Sequence, residues 1–175
     1  MTKKTIKGQN PTFIQSINIS KDWCKEWEDN LLSDEVLADR IKELISTKNG
    51  VRGFFAYTLS DIDCSLLDKL PTSLIFALSE AGEIIVEITI KNLIMSSAQF
   101  VNHQKDKKFE YAAISNNISD RCINLLRVLD TQLVIKFINL ILKDLDNMGN
   151  GFDNKIKYNE EQKKYINKRI EEIAN

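Results

Sequence analysis

Apolar residues are densest between Glu83 and Gln104, where EIIVEITIKNLIMSSAQFVNHQ runs for over twenty residues without Gly or Pro. Its Ile/Val-rich start suits a strand, but strands usually stop at roughly 4–8 residues, so the length predicts a helix. On a helical wheel Ile84, Ile85, Val86, Ile88, Ile90, Leu93, Ile94, Met95, Ala98, Phe100 and Val101 fall on nearly every side. A helix apolar all round is a buried one. Its few charges, Glu83, Glu87 and Lys91, follow one line at i, i+4 and i+8. A second line, Thr89, Asn92, Ser96, Gln99 and His103, is polar without fixed charge and holds the only histidine. Buried polar groups need partners. This row therefore faces a polar neighbour, lines a solvated groove, or surrounds a small ligand.

The flanking segments read as helices too. Residues 1–19 carry Pro11 and the anchors Phe13, Ile14, Ile17 and Ile19, and suit a loosely docked arm. Ser20 is placed to cap a helix from Lys21, whose Trp23, Trp27 and Leu31 repeat on one face as core or as a partner patch. Ser33 caps a second helix with Val36, Leu37, Ile41, Leu44 and Ile45 inside, stopped by Asn49-Gly50. A short helix over residues 51–59 brings in Phe54, Phe55 and Leu59, Asp61 or Asp63 starts a turn or short helix through Leu70, and another helix over Ser73–Glu80 follows the Pro71 break. After Gln104, KDKKFEY extends the central helix or forms a loop, and Ser119-Asp120 looks like a helix start. Asp130-Thr131 caps or bends the next helix, with Leu133, Val134, Phe137, Ile138, Leu140, Ile141 and Leu145 on its buried face. Past a Gly/Asn-rich connector, Asn159 and Gln162 form a capping-box pattern before a last helix with a thin stripe of Ile166, Ile170 and Ile173. The fold expected is all-α: a single-domain bundle of about six to eight helices around a buried central helix near 83–104. Its parts are the arm 1–19, a core 20–148, and the connector with the C-terminal amphipathic helix, 149–175.

The 175 residues carry 43% hydrophobic and 28% charged residues and a formal net charge of −1. A near-neutral chain lacks the basic balance typical of nucleic-acid binding. The lysines at 3, 4 and 7, and at 105, 107 and 108, read as solvated ends. Cys24, Cys64 and Cys122 are far apart and odd in number. That spacing disfavours a disulfide framework or a zinc site and predicts a reducing, cytoplasmic setting. No stretch reads as a signal peptide or a membrane span.

Chemistry is thin. Asp144-Leu-Asp146 opens a calcium-loop pattern, but Met148 and Lys155 stand where oxygen ligands are needed. No Walker A, G-x-S-x-G or H-E-x-x-H motif occurs. One histidine leaves only a Cys–His pair as a formal nucleophile, and Asp61 with Asp63, or Glu80, Glu83 and Glu87, as carboxylate clusters that suit solvated faces. No cofactor and no metal is predicted. The reading carried forward is a non-enzymatic interaction or regulatory module, binding a protein partner or a second copy. The alternative is a small-molecule or cofactor-binding helical domain using Thr89, Asn92, Ser96, Gln99 and His103.

Overall fold

In a computed structural model, which describes residues 10–146 and 157–174, every regular element is helical. Nine α-helices occur among the described residues: α1 (Phe13–Glu28), α2 (Asp34–Leu44), α3 (Lys48–Ser60), α4 (Leu66–Lys69), α5 (Thr72–Ala81), α6 (Glu83–Lys105), α7 (Phe109–Val128), α8 (Thr131–Asp146) and α9 (Glu160–Glu171). A 3-10 turn, Glu172–Ala174, ends the described chain. The all-α class expected from the periodicity holds, and the turn or short helix expected through Leu70 is the four-residue α4, which starts at Leu66 and not at Asp61 or Asp63. The calcium-like pattern past Asp146 and the Gly/Asn-rich connector lie outside the described residues. So do the lysines at 3, 4 and 7. The chain divides into two units at Ala81 and Gly82.

In the first unit α1 packs on α3, and α2 on α5. Helix α1 starts at Phe13, not near Ser20, so residues 13–19 belong to a helix and not to an arm. Thr12 caps it: its hydroxyl accepts from Gln15 N–H and Gln15 Oε1 accepts from Thr12 N–H at 2.9 Å. That box satisfies two otherwise orphaned donors. Ser20 sits mid-helix instead, its hydroxyl donating to Ser16 O at 2.8 Å. Asn49-Gly50 stops nothing, because both lie in the first turn of α3, capped by Thr47 Oγ1 accepting from Gly50 N–H at 3.0 Å. Glycine is needed at 50 for close approach: a Cβ there would lie 1.7 Å from Leu44 O. Phe54 and Phe55, meeting edge to face at 5.2 Å, fill the interior with Leu37, Ile41, Leu67 and Leu78. Each such side chain contributes about 1.5–3 kcal/mol by leaving water. Leu31, expected on the tryptophan face, lies past the end of α1 and stands exposed.

In the second unit α6 touches α7, α8 and α9, and its start and end match the expected 83–104 closely. Ile85, Val86, Ile90, Leu93 and Ile94 are buried along it. It is long and apolar enough to cross a bilayer, which corrects the expectation that no stretch qualifies. More than half of its apolar window is buried inside the protein, as for a core helix. Its partner α7 begins at Phe109, ten residues before the expected start at Ser119. Small residues Ala112, Ser115, Ser119 and Cys122 recur along its inner face, letting the two backbones approach closely. Asp130 Oδ1 accepts from Leu133 N–H at 2.9 Å and caps α8. The capping box expected at Asn159 and Gln162 opens α9.

Candidate functional site

The polar row of α6 is where a ligand site was expected, and helical back-bonding decides its fate. Thr89 Oγ1 donates to Ile85 O at 2.6 Å, Asn92 Nδ2 to Ile88 O at 2.8 Å, and Ser96 Oγ to Asn92 O at 2.7 Å. Short polar side chains satisfy themselves on the preceding turn in this way. Thr89 is fully buried and Ser96 nearly so. Ser96 also meets Ser119 of α7, Oγ to Oγ at 2.8 Å, and Ser97 meets the same hydroxyl at 3.4 Å. The row therefore faces a polar neighbouring helix. Gln99 and His103 continue the row on the same helix, one to two turns further on.

Its last two members differ. Gln99 is exposed, and His103 is half-buried with its ring 5.6 Å from that of Tyr111. The contacts Ser96–Ser119 and His103–Tyr111 set an antiparallel register for α6 and α7. Helical spacing then puts Met95, Gln99 and His103 on the same outer rim as Tyr111, Ile114 and Ile118. On that rim Tyr111 is 59%, Met95 46% and Ile114 43% exposed. Sequence reading missed Tyr111 and Ile114, because KDKKFEY read as a polar extension or loop. The spacing of 111, 114 and 118 signals a helix face once α7 is known to start at Phe109.

The tryptophans are half-buried and braced within their own unit. Trp27 Nε1 donates to Asp34 Oδ1 at 2.7 Å, and Lys69 Nζ lies 5.6 Å from its ring centre. Arg40 lies 5.7 Å from the Trp23 ring and pairs with Glu26 at 2.9 Å. Between them Cys24 points inward to Cys64. Hydrogen bonding to Cys64, then burial, pushes the Cys24 thiol far above its ordinary range. Burial, with Cys64 and Asp61 adding, also raises the Tyr57 phenol.

The carboxylates are individually paired. Glu80 takes Lys42 at 2.7 Å, Glu83 takes Lys136 at 2.6 Å, and Glu87 takes Lys91 at 2.7 Å. Asp61 Oδ1 accepts from Asp63 N–H at 2.9 Å, closing a turn. Among the described residues no group of three His, Cys, Asp or Glu side chains is arranged to hold a metal ion. An open groove of about 1180 Å³ runs between α6 and α9, but Phe100, Lys105, Tyr165 and Lys168 line it, not the polar row.

Cys122 is wholly buried, and burial pushes its thiol up against the opposing pull of Arg169. Below about pH 8.5 both folded and unfolded states hold that proton, and stability is full. As pH rises the unfolded thiol ionises first, and stability falls by about 2 kcal/mol by pH 10. Unfolding free energies from urea titrations at pH 7.5 and 10 are expected to drop less for Cys122→Ala than for the parent, by that amount. Parallel drops would mean that this thiol reaches water in the native state.

Residues 12–173 match the model of a family described as "Uncharacterised conserved protein UCP020893". No curated protein and no solved structure matches the chain.

Proposed function

The chain belongs to that family, and we propose that it acts as a protein-interaction module, not an enzyme, through the outer rim of the α6–α7 hairpin. The observation carrying this reading is that Met95, Tyr111 and Ile114 stand in water on one rim beside His103. Grooves and rims of helical hairpins take an amphipathic helix from a partner through spaced apolar anchors. An aromatic residue with apolar neighbours is the composition that carries interface energy. The small-molecule alternative loses support because Thr89, Asn92 and Ser96 spend their polar atoms on their own helix. We also read the protein as cytoplasmic, since its three cysteines are buried thiols and not disulfides.

A photo-crosslinking phenylalanine analogue at Tyr111, and separately at the exposed Asn139 of α8, tests the rim in the protein's own cells. The expected result is one discrete adduct from position 111 and none from 139. An adduct at twice the chain mass would identify a second copy as the partner. Equal labelling from both positions, or none from either, would sink the reading.

A further inference from the structure

We propose that Cys24 and Cys64 are a reversible oxidation site, joined by an intrachain disulfide when the protein meets a hydroperoxide. Cys24 lies on α1 and Cys64 between α3 and α4. They are 1% and 0% exposed, and the two thiols are in hydrogen-bond contact. Their flanks are held in register by separate bonds. Glu28, one turn after Cys24, accepts from Ser65 N–H at 2.8 Å and from Ser65 Oγ at 2.9 Å. Adjacent residues of one segment thus meet positions i and i+4 of one helix. That attachment holds the segment carrying Cys64 beside the turn of α1 that carries Cys24. Cys122 on α7, the third thiol, is the internal comparison.

The chemistry balances with a hydroperoxide as the oxidant. One thiol loses its proton and attacks the peroxide oxygen. The O–O bond breaks, an alcohol (or water, from hydrogen peroxide) leaves, and a sulfenic acid remains. The second thiol sulfur attacks that sulfur, the S–O bond breaks, and water leaves as the S–S bond forms. Two thiols give up two electrons, and the peroxide takes them. A dithiol reductant reverses the change by exchange. Burial of both sulfurs favours a small oxidant over a bulky disulfide, and makes the reaction slow enough to follow.

The link would close the chain around α2 and α3. It would also tie the helix bearing Trp23 and Trp27 to the segment leading into α4, whose Lys69 sits over Trp27. Neither consequence depends on the hairpin rim.

The test uses the reduced full chain and hydrogen peroxide, read by intact mass and by peptide mapping without reductant. The expected result is a loss of about 2 Da that dithiothreitol restores, with peptides carrying Cys24 and Cys64 joined. Cys122 should stay alkylatable after denaturation, and the unfolding midpoint should rise by roughly 10 °C. Cys122→Ser should oxidise at the parent rate. A gain of about 16 or 32 Da without a link overturns the proposal. So does a link through Cys122 or between two chains, or an unchanged mass. Because the unmodified protein answers by mapping, the outcome does not depend on whether Cys24→Ser folds.

Discussion

Gly53→Ala is expected to destabilise the first unit by about 2–3 kcal/mol, and Gly53→Leu to unfold it. A Cβ at this position would lie 2.3 Å from Ser16 Cβ and 2.9 Å from Ile17 N, so it collides with the backbone of α1 as well as with a side chain. Alanine would otherwise improve α3 by roughly 1 kcal/mol through helix propensity. The close approach outweighs that gain, because α1 must move away from the layer that holds Phe54 and Phe55. Gly82→Ala makes the comparison. No atom lies within 4 Å of a Cβ there, and only the backbone angle of +66° opposes the change. With ψ at −131° this is a region that essentially only glycine enters, so the cost should be about 1–3 kcal/mol of backbone strain without any collision. Ser16→Gly should recover part of the Gly53→Ala loss, but not the share due to Ile17 N. Urea unfolding of the parent and these variants decides the matter, and a Gly53→Ala protein as stable as the parent, or one that Ser16→Gly does not restore at all, would show that α1 and α3 do not pack as described.

Helix α6 was legible because its signals agree: an apolar run too long for a strand, Gly82 before it, and a polar tail after it. Helix α1 was misread because its cap, Thr12 with Gln15, follows Pro11 in a stretch that looks like an arm. The T-x-x-Q spacing was there to be read. Helix α7 offered no such mark, since Lys108 at its start makes no side-chain cap. Ser119-Asp120 imitates a cap, yet Ser119 is spent on Ser96 across the hairpin. The small residues at 112, 115, 119 and 122 hold the period that would have extended the helix backwards.

The polar row was legible as a face but not in its use. Wheel geometry places Thr89, Asn92 and Ser96 together, whereas their hydrogen bonds run along the helix to the preceding turn. Whether a serine back-bonds or awaits a ligand depends on what lies opposite, and that is a tertiary fact. The same holds for Cys24 and Cys64, whose contact exists only because α1 packs beside the chain leaving α3. Pairing of two thiols so distant in sequence leaves no periodic trace.

The thin stripe of α9 raised the question of whether it docks on its own core, and Ile166→Asp is the substitution that should undo that docking. Ile166 is 0% exposed and Ile170 7%. Polar bonds add to the attachment: Gln162 Nε2 donates to Asn102 Oδ1 at 3.0 Å and to Ala98 O at 3.4 Å, and Arg169 pairs with Asp120 of α7. Tyr165 stacks on Phe100 with ring centres 4.8 Å apart. A helix of 12 residues is marginal by itself, so it depends on these contacts. An aspartate at 166 would bury a carboxylate in an apolar position, or lose several kcal/mol of docking by leaving. Leaving is the expected outcome, because α6, α7 and α8 keep their mutual contacts without α9. Trypsin should then cut at Lys163, Lys164 and Lys168 at least tenfold faster, while the α6–α7 hairpin stays protected. Alkylation of Cys122 should quicken too, since Arg169 of α9 lies close enough to act on its thiol. Ile166→Val should raise neither rate more than about fivefold, as one methylene costs roughly 1 kcal/mol. Loss of all helical signal in one transition would instead make α9 part of what the second unit needs to fold, and unchanged cleavage would mean that Ile166 is not buried against its own core.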